Sequence, residues 1–250
     1  MGTRQSACLA FAAFAWMAAV GGASAATPRI TVFAASSLTD AFPALDQREA
    51  YSFAGSNVLA TQIANGAPAD VFASANTALP ASLYARGLVE KPVDFTRNTL
   101  VIVVPKANPA KIENIDDLTK PGVSIDIANV SVPVGSYTLS ILKNMALAPK
   151  ILPNVGSEEN DGRTVLTKIA LGQADAGFVY ATDARTVPGH VTVITLPARA
   201  RPKVTYSMAV VTNSPNQAAA HAFIKRVLSK AGQATLRSFG FLPMSAPASG

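Results

Sequence analysis

The sequence predicts an α/β protein of two lobes, and three observations carry that expectation. From residue 30 onward, short β-branched or aromatic runs alternate with helical patterns, as in sheets that are mainly parallel and flanked by helices. The apolar run Leu100-Val101-Ile102-Val103-Val104 is followed by the polar, proline-containing stretch Pro105 to Pro109, where the chain could leave one lobe. Val204 to Val211 is a second apolar strand that could carry it back. The expected division is a leader over 1–25, lobe 1 over 26–104 and 205–250, and lobe 2 over 105–204.

The leader comes first. Met1-Gly2-Thr3-Arg4 gives a positive start, Ala7 to Val20 is apolar, and Ala23-Ser24-Ala25 is the small-residue pattern cut by a signal peptidase. Its apolar part is short for a membrane-spanning helix of about 20 residues, so an export signal is expected rather than an anchor. Cys8 is the only cysteine and lies in this leader. A mature chain starting near Ala26 would have no disulfide and would work outside the cytoplasm.

Strands are expected at 30–35, 51–54, 69–75, 100–105, 123–128, 176–181, 191–196 and 204–211, with helices at 57–65, 77–86, 135–147 and 162–171. A long terminal helix from Asn216 to Phe239 presents Ala220, Phe223, Ile224, Val227, Leu228, Ala231 and Leu236 on one face, after the start signal Asn213-Ser214-Pro215. Only the stretch Leu38 to Tyr51 separates the first motif, ending at Ser37, from the second strand-like segment, near the minimum for a parallel crossover. Pro43 falls inside it, so the first helix is expected to be short or kinked.

Composition excludes several classes. With 49% apolar and 14% charged residues the chain is an ordinary globular protein. The formal charge is +6, and loss of Arg4 would lower it by one. The densest basic patch, Arg199-Ala200-Arg201-Pro202-Lys203, has no interleaved aromatics, so it reads as a solvated loop and not as a nucleic-acid surface. The chain contains no G-x-S-x-G, G-x-G-x-x-G, P-loop, C-x-x-C or H-E-x-x-H motif. His190 sits in the turn-like Pro188-Gly189-His190 and His221 on the terminal helix, neither beside a candidate nucleophile.

What remains is a set of small polar residues where strands give way to helices: Ser36-Ser37, then Gly55-Ser56-Asn57, then Pro133-Val134-Gly135-Ser136, then Asn160-Asp161-Gly162. Each alone is a plain helix cap. Together they suggest more, because the carboxyl ends of strands in an open α/β sheet face a crevice into which the following helices aim free N–H groups. Junctions meeting across two lobes would make a cage of neutral donors for an anion.

Several segments resemble the periplasmic molybdate-binding proteins of ABC importers. They are Val32-Phe33-Ala34-Ala35-Ser36-Ser37-Leu38-Thr39-Asp40-Ala41-Phe42, Phe53-Ala54-Gly55-Ser56, and Gln62 through Ala75 with its core Gly66-Ala67-Pro68-Ala69-Asp70-Val71-Phe72. The likeness continues through Val132 to Tyr137 and Gly177 to Ala184, with a weaker match at Phe239-Gly240-Phe241. The resemblance implies a two-lobed periplasmic binding protein holding an oxyanion in its interlobe cleft. By position it implies donors from the Ser37 and Ser56 hydroxyls, the Val134 and Gly162 main-chain N–H groups, and the Tyr180 hydroxyl. It implies molybdate as ligand, with tungstate as the similar second dianion, a membrane permease as partner, a monomer, no cofactor, and molybdenum bound only as its oxyanion. The alternatives are another oxyanion such as sulfate, or an exported enzyme using Ser37 or Ser56 as nucleophile, which would need a base within reach.

Overall fold

The computed structural model describes residues 28–244, with Gly2 besides. The leader expected over 1–25 therefore lies, Gly2 apart, outside the described residues. The strands, in chain order, are β1 (Thr31–Ala35), β2 (Ala50–Ala54), β3 (Val71–Ser74), β4 (Val93–Asn98), β5 (Leu100–Pro105), β6 (Ile125–Ala128), β7 (Val155–Glu159), β8 (Ala176–Tyr180), β9 (Val191–Thr195) and β10 (Val204–Val210). The α-helices are α1 (Ala41–Leu45), α2 (Ser56–Ala64), α3 (Ala78–Ala85), α4 (Pro133–Asn144), α5 (Ala148–Ile151), α6 (Gly162–Ala170), α7 (Ala181–Ala184), α8 (Gln217–Leu228) and α9 (Lys230–Ser238).

Two mixed sheets carry the fold, ordered β2-β1-β3-β10-β4 and β7-β6-β8-β5-β9. They share one design. In the first, β1 pairs in parallel with β2 and β3, while β10 runs antiparallel between β3 and β4. In the second, β6 pairs in parallel with β7 and β8, while β5 runs antiparallel between β8 and β9. Each sheet thus presents three parallel strand ends on one side, and the helices that follow them start there.

The chain crosses between sheets twice, and the first crossing differs from expectation. Leu100–Pro105 belongs to the second sheet, so the chain leaves the first at Thr99 and not after Val104. The cause is a strand unmarked by apolar alternation: β4 carries Asp94 and Arg97 and serves as the far edge of the first sheet, where polar side chains can face water. β7, Val-Gly-Ser-Glu-Glu, is the matching polar edge of the second sheet and likewise carries no sequence signal. The return runs through residues 196–203 into β10, which includes the basic patch read as a loop.

Two further departures have local causes. The long terminal helix is broken at Ser229, whose backbone is extended and whose hydroxyl accepts from Gly232 N–H at 3.1 Å to cap α9. Pro43 sits in the first turn of the five-residue α1, where its missing N–H had no helical partner to lose. That short segment is anchored by Phe42, which is fully buried and meets the rings of Tyr51, Phe95 and Phe223. Burial of one such ring stabilises by about 1.5–3 kcal/mol. Among the described residues, no helix is long and apolar enough to cross a membrane.

Candidate functional site

Between the two sheets lies a small pocket. Its lining comes from the carboxyl ends of parallel strands in both sheets. Ala35 ends β1 and Ser36 and Ser37 follow it, Ala54 ends β2 and Gly55 and Ser56 follow it, and Ala75 follows β3. From the second sheet, Val132, Pro133 and Val134 come from the loop after β6 and the start of α4, Gly162 begins α6 beyond β7, and Tyr180 ends β8. The five residues singled out in the sequence, Ser37, Ser56, Val134, Gly162 and Tyr180, all line this one pocket. No lining side chain is charged.

The serines stand in the first turns, just past the cap positions held by Ala35 and Gly55, and do not act as caps. The turn of 3-10 helix at Ser36–Leu38 and the helix α2 both start without a side-chain cap. Instead Ser56 Oγ accepts from the Ala75 N–H at 3.1 Å, which leaves its own proton free. Ser37 Oγ is 2.8 Å from the Tyr206 hydroxyl. Asn98 fixes the direction of that bond. Its Oδ1 accepts from the Thr99 N–H at 2.9 Å, so its Nδ2 donates to Thr182 Oγ1 at 2.9 Å and to the Tyr206 hydroxyl at 3.2 Å. With Tyr206 oxygen already accepting, the arrangement that uses each proton once has Tyr206 donating to Ser37. Ser37 then also keeps a proton to give to a ligand.

The main-chain donors arise from helix geometry. Val134 is the second residue of α4 and Gly162 the first of α6, so neither N–H can bond within its own helix. Asp161 caps α6 by accepting from the Thr164 N–H at 2.9 Å and leaves Gly162 unengaged. Two close approaches hold these helix starts in place. A Cβ on Gly135 would lie 2.1 Å from the Asn129 carbonyl oxygen, and one on Gly55 would lie 2.4 Å from the Asn160 carbonyl oxygen across the interlobe gap. Only glycine lets the backbones meet there.

Tyr180 is wholly buried and its hydroxyl makes no hydrogen bond within the described protein. Burial, with Tyr206 and Asp183 nearby, keeps it protonated by raising its pKa well above the ordinary phenol value. A buried hydroxyl without a partner costs free energy unless something accepts from it, and the pocket is where an acceptor can sit. Taken together, the pocket offers two serine protons, one phenol proton and two helix-start N–H groups. That set suits a small anion carrying no proton of its own.

Several functional neighbours carried no signal in the sequence. Tyr206 and Asn98 belong to strands far from the quoted motifs and matter only because β10 and β4 pair beside Ser37. Asp183 is fully buried, with Oδ1 accepting from Arg163 Nε at 2.9 Å, and Arg163 also reaches Asp40 at 2.6 Å across the lobes. On the other rim, Asn57 Nδ2 donates to Ser131 Oγ at 3.1 Å, again across the lobes. His190 and His221 lie elsewhere, the latter 3.2 Å from Glu90. Among the described residues, no group of three or more His, Cys, Asp or Glu side chains is placed to hold a metal ion.

Two lobes joined by two crossings, with strand-end donors closing around a pocket between them, define a solute-binding protein. A family model described as bacterial extracellular solute-binding protein matches residues 30–242, and the chain belongs to that family. Among its relatives, a protein named molybdate-binding protein ModA from Mycobacterium tuberculosis is 41% identical over 222 residues, covering 85% of this chain and 84% of its own length. The substrate-binding domain of a putative molybdenum ABC transporter from Clostridium difficile is 27% identical with a TM-score of 0.66, covering 87% of this chain and 99% of its own. A periplasmic molybdate-binding protein from Azotobacter vinelandii superposes with a TM-score of 0.75 over 86% of this chain and all of its own, at 22% identity.

Proposed function

We propose that this chain captures molybdate, with tungstate as a second ligand, outside the cytoplasmic membrane and delivers it to the permease of an ABC importer. The observation that carries this reading is the convergence of five donors on one pocket without a charged side chain. Ser37 and Ser56 would give their hydroxyl protons, Val134 and Gly162 their N–H groups, and Tyr180 its phenol proton. The names of the relatives support molybdate over other oxyanions. The leader supports export, to the periplasm if the cell has an outer membrane, and the protein would act as a monomer. For a catalytic serine the pocket would need a base, and neither histidine lines it. The lobes would be residues 28–98 with 204–244 and residues 100–195, turning about Thr99 and the 196–203 return.

Calorimetric titration of the mature chain with molybdate, tungstate, sulfate and phosphate tests the proposal. Molybdate and tungstate should bind more tightly than sulfate. Phosphate should bind weakest, because its monoprotonated form brings a proton to a cage of donors. Tighter sulfate than molybdate binding would shift the assignment to a sulfate receptor.

A further inference from the structure

The rim of the pocket holds a charged contact whose parts lie next to the donor residues. Arg163 follows Gly162 at the start of α6, and Asp40 lies three residues after Ser37. The guanidinium uses two nitrogens: Nε donates to Asp183 Oδ1 at 2.9 Å within its own lobe, and Nη2 donates to Asp40 Oδ2 at 2.6 Å in the other. Asp183 is fully buried and Asp40 about half exposed, with side-chain exposures of 0% and 45%. Asp40 precedes α1 but its side chain does not cap that helix; its carboxylate pairs instead with Arg163.

We infer that Arg163, aimed by Asp183, is an interlobe catch that closes on Asp40 and sets how long a bound ligand is held. An ordinary exposed ion pair gains little, because two flexible side chains must be ordered to make it. Here that cost is reduced, since Asp183 already holds the guanidinium through Nε and leaves Nη2 to meet Asp40 across the gap. Opening the lobes must separate Asp40 from Arg163 at the same time as it separates Ser37 from Gly162. The pair therefore acts on the closed form and not on first encounter. Arg163 and Asp40 are positioning residues in this account, since neither lines the donor pocket.

The inference rests on the solute-receptor reading, and its test has one arm that needs no ligand. In the first arm, molybdate release is timed by rapid mixing for wild type, Asp40→Asn and Asp40→Glu at low and high salt. Asp40→Asn should speed release roughly two- to fivefold, within the range for a partly exposed pair. It should leave association nearly unchanged and flatten the salt dependence, and Asp40→Glu should restore most of the loss. In the second arm, spin labels are placed at Gln62→Cys and Lys143→Cys, on α2 and α4, in the mature chain, which has no other cysteine. Without ligand, Asp40→Asn should lengthen the interlabel distance distribution relative to Asp40. If wild type binds no molybdate, the ligand assignment fails while the label distances still decide the catch. Unchanged distances, or unchanged release and salt dependence in a molybdate-binding protein, overturn it.

Discussion

A serine at the start of a helix usually bonds to that helix; the Ser37 and Ser56 hydroxyls instead accept from the Tyr206 hydroxyl and the Ala75 N–H, and each keeps its own proton. Hydrogen bonds to a charged group are worth about 1.5–3 kcal/mol. Ser37→Ala and Ser56→Ala should therefore each weaken molybdate binding by roughly ten- to more than a hundredfold in titration. Tyr180→Phe should do the same while leaving the apo protein's melting temperature unchanged or raised, because it deletes a hydroxyl that no protein group satisfies. Asp183 gives a pH prediction. Burial pushes its carboxyl up to about 6, against the pull of Arg163 and with small additions from Asp161 and Asp40. Between its ordinary value and about 6 the folded state therefore holds more protons than the unfolded chain, so this group's contribution to stability grows as pH falls through that window and is lost above it. Denaturation midpoints should show wild type gaining on Asp183→Asn by on the order of 2 kcal/mol between pH 7 and pH 4, because each tenfold gain in proton affinity on folding is worth about 1.4 kcal/mol. A constant gap would mean that Asp183 titrates like an exposed carboxyl. The serines were legible because hydroxyls at strand ends stand out against apolar runs. Asp183 was not, since its burial depends on α6 packing over β8.

At the scale of elements, the proposed function gives the helix starts the recognition that side chains do in other sites. Val134→Ala should hold affinity within a few-fold, since the N–H survives, while Val134→Pro removes a donor to a charged ligand and should cost about 1.5–3 kcal/mol. The proline result counts only where melting shows a folded apo protein. The opposite pattern in titration, with alanine abolishing binding and proline tolerated, would mean that α4 does not present its backbone to the ligand. The eight strands marked by β-branched and aromatic runs all form; six of them are central in their sheets, where strands are apolar on both faces, while β2 and β9 are edges marked by their β-branched and aromatic residues alone. β4 and β7 carry no such run: as sheet edges they hold the exposed Asp94 and Glu158 and the half-buried Arg97, while Glu159 pairs with Lys168. Missing β4 moved the expected crossing from Thr99 to Val104. The break at Ser229 also left the apolar stripe intact, so periodicity alone joined α8 to α9.

For the whole molecule, both crossings lie beside the site. Thr99 adjoins Asn98, whose amide bridges Thr182 of one lobe and Tyr206 of the other. A ligand that touches both lobes favours the shut form only through contacts it loses on opening. Small-angle scattering should therefore show the mature chain compacting when molybdate is added, and confirmed binding with an unchanged radius would count against a hinge. Two lobes were legible from strand alternation, whereas the way they meet was not, because Gly55 against Asn160 and Arg163 against Asp40 join positions more than a hundred residues apart. The central claim is that one oxyanion sits among the five strand-end donors, and locating the metal tests it most directly. Crystals of the mature chain grown with molybdate should give a single anomalous peak at the molybdenum edge, ringed by the Ser37, Ser56 and Tyr180 hydroxyls and the Val134 and Gly162 N–H groups. A peak in the neighbouring crevice lined by Arg163 and Arg185, with the donor pocket holding none, would contradict it.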